Sequence, residues 1–292
     1  MSLAIVYTRA ALGIEAPLIT VEVHLSNGLP GLTMVGLPET TVKEARDRVR
    51  SALINSGYAF PAKKITINLA PADLPKEGGR YDLPIALALL VASEQLNTTR
   101  LNQYEFVGEL ALTGGLRGVP GAIPSAMEAI KAGRRIVVSS DNAAEVGLIG
   151  GSDCLVADHL QEVCAFLAGQ TSLSPPLAEA PARDERYEDL LDVIGQQQGK
   201  RALEIVAAGG HNLLLIGPPG TGKTMLASRL PGLLPPLSNQ EALESAAIQS
   251  LVNLHTAKKR WRQRPFRAPH HSASLAAMVG GGSIPVPGEI SL

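Results

Sequence analysis

The segment GPPGTGKT, Gly217 to Thr224, constrains this chain more than any other stretch. It fits G-x-x-x-x-G-K-[ST], and its flanks supply the context such a pattern needs. Asn212–Ile216 is an apolar run read as a buried strand, and a helical pattern begins at Lys223. A glycine-rich turn between a strand and a helix lets successive backbone N–H groups converge on phosphate oxygens. The helix N-terminus adds partial positive charge. Gly217, Pro218, Pro219, Gly220, Thr221, Gly222, Lys223 and Thr224 are therefore the candidate residues for binding ATP. Lys223 is suited to the β- and γ-phosphates and Thr224 to Mg²⁺, through its hydroxyl.

A hydrolysing P-loop enzyme also needs a second apolar strand ending in Asp-Glu, which holds Mg²⁺ through water and activates the attacking water. Met225 to Leu292 contains no such string, and RRIVVSSD (Arg134–Asp141) lies upstream of the loop. The expectation is a fragment that binds ATP and turns it over negligibly, so no catalytic residue is assigned.

The rest of the chain divides at TSLSPPLAEAPARDER. This stretch, residues 171–186, has a linker's composition and separates residues 1–170 from 187–292. In the first part, strands are expected at Leu18–Leu25, Lys64–Leu69 and Arg135–Ser139. A helix should carry Val42, Ala45, Val49, Ala52 and Leu53 on one stripe and end near Gly57. LPIALALLVASEQL reads as a buried helix with Pro84 in its first turn. YEFVGELALTGGLRGVPGAI reads as a hairpin with Gly114-Gly115 at its tip. A helix at Ser125–Ala132 and a strand–helix pair over Cys154–Ala168 complete an α+β or α/β layer fold. After the linker, a helix over Gln197–Ala208 precedes the expected strand. The fold class is α/β overall.

Composition excludes several functions. With 292 residues, 45% hydrophobic and 18% charged, the chain suits a soluble globular protein of about two domains. A net charge of −1 argues against a uniformly basic nucleic-acid coat. No apolar run reaches the roughly 18–20 residues that span a bilayer, and no secretory signal opens the chain. Cys154 and Cys164 have no metal-ligand spacing around them and read as reduced, buried, cytosolic side chains.

One local exception to the balanced charge is KKRWRQRPFR, with six basic residues, two aromatics and no acid. Lys258, Lys259, Arg260, Arg262, Arg264 and Arg267 are candidates for DNA phosphates, with Trp261 or Phe266 to stack on a base. The alternative is a solvated or inter-subunit surface. Beside it, His270 and His271 are adjacent, with no Cys, Asp or Glu at a ligand spacing. A loop at a pore or subunit interface fits them better than a metal site.

Taken in order, GPPGTGKT, FRAPHHSAS and GGGSIPVPGEISL resemble the magnesium-chelatase-like AAA+ family, in its bacterial YifB/ComM branch. The N-terminal segments GLPGLTMVGLP, ITINLAPADLPKEGGRYDLPIALALL and FVGELALTGGLRGVPGAIP resemble the same branch. The resemblance implies a hexameric ring that binds ATP and Mg²⁺ and moves DNA, with branch migration in natural transformation as its work. It also implies that Asp192, Val193 and Ile194 lie near the adenine, although Val193 and Ile194 serve equally well as ordinary core. The alternatives are a scaffold that binds ATP without hydrolysis and a motor subunit of the chelatase type.

The first part is also similar to the ribosomal-S5-like proteolytic domain of Lon-type proteases. In that domain the turn P-K-D-G-P-S-A-G carries a serine nucleophile, and a lysine further on is its base. Here Pro75, Lys76, Glu77 and Gly78 match, Gly79 stands for proline, and Arg80 takes the serine position. Val119–Met127, where the lysine belongs, has none. A guanidinium cannot attack a carbonyl, so no peptidase is expected. Ser125 is read as a helix N-cap and Asp82 as the cap of the following helix, with Lys76 and Arg80 available to an acidic partner.

Overall fold

A computed structural model describes residues 3–36, 44–176, 187–252, 261–281 and 286–292. Seven strands form one sheet in the order β3-β4-β2-β1-β5-β8-β9. They are β1 (Leu3–Arg9), β2 (Leu18–Ser26), β3 (Gly31–Val35), β4 (Lys64–Ala70), β5 (Tyr104–Phe106), β8 (Arg135–Ser139) and β9 (Cys154–Ala157). β2 runs antiparallel to both β1 and β4, while β3–β4, β1–β5, β5–β8 and β8–β9 are parallel. The fold is mixed α/β with a parallel-rich sheet.

Alternation decides which face is covered. Ile19, Val21, Val23 and Leu25 on β2 and Ile65, Ile67 and Leu69 on β4 are buried on the same side. Over that side lie α1 (Ala45–Asn55) and α2 (Asp82–Ala92). The buried stripe of α1 is Ala45, Val49, Ala52 and Leu53, as its spacing predicts; Val42 falls outside the described residues. Its end is a left-handed Gly57, φ 83°, with the Tyr58 N–H returning to the Leu53 carbonyl at 2.9 Å. Every residue of α2 except Val91 is buried, so this helix is apolar all round and sits between the sheet and α1.

The predicted hairpin is shorter than its sequence suggests. Tyr104–Phe106 enters the main sheet as β5, and only β6 (Glu109–Leu110) and β7 (Leu116–Arg117) pair as a hairpin, with Gly114 at φ 94° in its tip. The helix α3 (Ala122–Lys131) starts three residues before the expected Ser125. Its N-cap is the left-handed Gly121, and Ser125 Oγ donates to the Gly121 carbonyl at 2.8 Å from inside the helix. Asp82 likewise is not a cap. It is the buried first residue of α2, accepting from Arg48 Nε at 2.7 Å and the Leu110 N–H at 3.3 Å. Beyond β8, α4 (Ala143–Val146) and α5 (Leu160–Leu167) flank β9. Both cysteines are buried and unpaired.

Three buried polar side chains brace the sheet and its surroundings. Glu105 on β5 is fully buried and accepts from Arg9 Nε at 2.6 Å, Arg9 Nη2 at 2.8 Å and Arg134 Nε at 2.9 Å. A buried carboxylate is tolerated only with such compensation. Arg80 and Lys76, expected to face an acidic partner, are instead buried. Lys76 donates to the Pro71 carbonyl, and Arg80 donates to the carbonyls of Arg9 and Pro120. Neither is available to DNA.

The start of the linker expected at 171–186 is held down. The Val156 N–H donates to the Ser174 carbonyl at 3.1 Å, and Leu173 packs on the core. Residues 177–186 lie outside the described set.

After it come α6 (Gln197–Gly209), α7 (Lys223–Leu233), α8 (Asn239–Ser250) and α9 (Leu275–Val279), with a small ladder between β10 (Gly280–Gly281) and β11 (Val286–Pro287). The expected strand at Asn212–Ile216 does not form. A strand exists only through a neighbour, none pairs with it among the described residues, and Leu214 and Ile216 remain more than three-quarters exposed.

The second part docks on the first through α8 and α3. Ala246, Ala247 and Leu243 of α8 meet Ile123 and Met127 of α3, with Trp261 against the same cluster. The Gly121 N–H donates to the Ser250 carbonyl at 2.9 Å.

Candidate nucleotide-binding loop

The loop from Gly217 to Thr224 lies between the unpaired run 212–216 and α7. Two of its glycines are required by the backbone: Gly220 at φ 81° and Gly222 at φ 83° occupy the left-handed region. Gly222 is the N-cap of α7 and offers no side-chain acceptor. The first-turn amides of this 11-residue helix are thus left for a ligand.

Lys223 folds back over the loop. Its Nζ donates to the carbonyls of Gly217 and Pro218, both at 2.8 Å. Thr221 Oγ1 also donates to the Pro218 carbonyl, at 2.9 Å. The ammonium therefore sits within the curl of the loop, held by neutral acceptors that phosphate oxygens would outcompete. Thr224 is exposed at the first turn. An ATP-sized polyphosphate with Mg²⁺ fits this donor set: Lys223 for phosphate charge, the α7 amides for its oxygens, and the Thr224 hydroxyl for the metal.

The platform behind the loop is a small apolar cluster of Val193, Leu203 and Leu226, with Leu190, Leu215, Leu230 and Leu233 around it. Val193, one of the residues expected near the adenine, is in this core, which is its alternative reading. Ile194 is 94% exposed and Asp192 is also exposed. Gln196 makes a contact that no sequence pattern announces: its Nε2 donates to the Thr221 carbonyl at 3.1 Å, bridging the residues before α6 to the loop. The left-handed pair Gly195 (φ 73°) and Gln196 (φ 53°) aims it there. Glu188 fixes the same segment to α7, pairing with Arg229 at 2.8 Å and accepting from Ser228 Oγ at 2.9 Å.

The described residues of the basic run are committed to protein acceptors. Lys258, Lys259 and Arg260 lie outside the described residues. Arg262 Nε donates to the Leu237 carbonyl at 2.9 Å, and Arg264 Nε to the Pro235 carbonyl at 3.0 Å. Arg267 makes a two-pronged pair with Glu289, 2.7 Å on each side. That pairing raises the guanidinium pKa and lowers that of Glu289. The His270 and His271 rings are tilted by 39° with centroids 4.1 Å apart, and His270 Nδ1 contacts Ser272 Oγ at 2.7 Å. No metal-binding cluster occurs among the described residues.

Residues 189–292, which include the loop, match the family model described as "Magnesium chelatase, subunit ChlI", and residues 21–142 match "Subunit ChlI of Mg-chelatase". The chain belongs to the magnesium-chelatase-like family, with the YifB and ComM proteins. It is 78% identical over 292 residues to YifB of Salmonella typhimurium and 76% identical to YifB of Escherichia coli. It is 59% identical over 299 residues to the competence protein ComM of Haemophilus influenzae. Each alignment covers 100% of this chain and 58% of the relative, so the chain spans little more than half the length of the relatives it matches. No helix among the described residues is long and apolar enough to cross a membrane.

Proposed function

We propose that this chain is the nucleotide-binding part of an ATP-driven, ring-forming motor that acts on DNA. The observation that carries the reading is the glycine-capped start of α7, with Lys223 drawn into the loop that precedes it. The 59% identity to a competence protein supports DNA as the substrate and DNA uptake as the setting. Lys258, Lys259 and Arg260 remain candidates for DNA phosphates. Arg262 is bonded to a carbonyl, whereas Arg264 pairs with Glu241 at 3.8 Å and Arg267 with Glu289 at 2.7 Å.

For the chain as given, the sequence favours binding without turnover, because Met225–Leu292 has no apolar strand ending in paired acids. The test is titration of a fluorescent ATP analogue with and without Mg²⁺. Lys223→Ala should weaken binding at least tenfold, on the order of 1.4 kcal/mol or more. Thr224→Ala should remove most of the Mg²⁺ dependence. Unchanged affinity in Lys223→Ala would refute the nucleotide site, and sustained ATP turnover by the wild-type chain would refute the non-hydrolysing reading.

A further inference from the structure

The burial of Lys76 and Arg80 leaves the N-terminal part without its expected anion contact, yet a different set of cations converges there. Arg46 and Arg50, four residues apart on α1, share a pocket of about 190 Å³ with Lys63 and Phe60 at the β3 edge of the sheet. Three cations line it and no carboxylate does. Arg46 and Arg50 form no ion pair among the described residues and Lys63 acts on Glu94 only at longer range, although Arg48, on another face of the same helix, is bound to Asp82 at 2.7 Å. Like charges at i and i+4 on a helix repel, and Lys63 adds to that repulsion. An anion in the pocket reverses the sign of the interaction.

The occupant is narrowed by the pocket's size and floor. A cavity of this volume takes a phosphate with part of its sugar, well short of the roughly 300 Å³ at which pockets for whole small ligands begin. Phe60 is partly buried, and the Arg50 guanidinium stands 5.4 Å over its ring. Phe60 packs on the core and carries the Arg50 guanidinium over its ring, so its exposed edge is what can touch a sugar or base of a flexible single strand whose backbone lies on the charges. Arginine also matches phosphate oxygens with two donors at once.

We infer that Arg46, Arg50, Lys63 and Phe60 form a phosphodiester-binding site for single-stranded nucleic acid on the N-terminal part of the chain. This rests on the reading of the protein as a DNA-acting motor, and it places a strand contact on the sheet edge, separate from the candidates Lys258, Lys259 and Arg260.

The experiment is fluorescence anisotropy of the full 292-residue chain with a labelled single-stranded oligonucleotide across a salt series. Arg46→Ala/Arg50→Ala should weaken binding roughly tenfold and reduce the slope of log K against log salt by about 1.4, two phosphate contacts at ~0.7 each. Arg46→Lys/Arg50→Lys should keep most of the slope, and Phe60→Leu should weaken binding without changing it. Duplex DNA should bind more weakly and lose less on mutation. Wild-type binding with an unchanged slope in the double alanine variant would overturn this site while leaving the motor reading intact. No oligonucleotide binding by the wild type would overturn both. Displacement of the oligonucleotide by inorganic phosphate at matched ionic strength, in the wild type only, would mark a free-phosphate site and overturn the nucleic-acid assignment. An equal loss for duplex would overturn the single-strand assignment.

Discussion

Glu145 offers the sharpest physical test of the fold beneath the α3–α8 contact. It lies on α4, fully buried, and its Oε2 accepts from Asn142 Nδ2 at 3.2 Å while Oε1 has no partner. Desolvation is the main cause that raises its pKa from 4.5 to about 7, only partly opposed by the Asn142 hydrogen bond. The folded state therefore holds its proton more tightly than the unfolded chain does. Stability from this group is full below about pH 4.5 and declines as pH rises to about 7, where the carboxylate ionises in both states. The difference amounts to roughly 3 kcal/mol above pH 7, at about 1.36 kcal/mol for each tenfold step. Glu145→Gln keeps the oxygen that Asn142 needs and removes the charge. Its stability relative to wild type should be about 2 kcal/mol more favourable at pH 8 than at pH 5. Urea denaturation of both proteins at the two pH values, analysed with a common m-value, reads this directly. Asp82, pushed up to about 6 by burial, titrates alike in both proteins and cancels in the comparison. Parallel pH profiles for variant and wild type would refute the account of a buried, desolvated carboxylate.

Other substitutions probe the remaining contacts. Glu105→Gln leaves Arg9 and Arg134 without their shared counter-charge and should destabilise the chain by about 3 kcal/mol in urea unfolding. Gly121→Ala introduces a Cβ at φ 73°, 3.2 Å from Leu251 Cδ2 and 3.5 Å from Arg80 Nη2. It should cost about 1–2 kcal/mol and shift the emission of Trp261, the sole tryptophan, as the α3–α8 contact loosens. Arg80→Ser restores a hydroxyl to the protease-like turn but should yield no casein hydrolysis. The position is buried, and the neighbouring Lys76 is bound to the Pro71 carbonyl.

Much of this was legible because local pattern and tertiary role agree. The alternation of LITVEVHL, the stripe on α1 and the continuous apolar run of α2 each state their own burial. The candidate nucleotide loop is legible for a related reason, since its glycines and Lys223 fall within eight consecutive residues. What the sequence concealed depends on distant partners. Arg80 reads as a surface cation until the carbonyls of Arg9 and Pro120 surround it, and Arg46 and Arg50 look no different from Arg48 until Asp82 claims one of the three. The run NLLLI reads as a strand because it is apolar, but strand formation needs a neighbour that no local pattern supplies. The capping box of α8, Ser238 with Glu241, was open to sequence reading and marks a helix the apolar periodicity alone does not reveal.

The position of Arg80 gives the first part of the chain a mechanical meaning. At the turn whose sequence resembles that of Lon-type proteases, this chain has a buried cation that joins the end of β1 to Pro120. Pro120 precedes Gly121, whose N–H holds the last residue of α8, and Asn142 grips Val119 through both its N–H and its carbonyl at 3.0 Å. α8 in turn follows α7, which begins at Lys223. A continuous set of covalent and hydrogen-bonded links therefore runs from the candidate nucleotide loop to the centre of the N-terminal sheet. A serine at position 80 is too short to reach both carbonyls and would break that route in the middle. The same turn that orients a nucleophile in a protease can act here as a strut, because a tight glycine turn fixes a side chain's direction whatever its chemistry. In the proposed ATP-driven motor, the N-terminal part would supply a rigid seat where α8 bears on it.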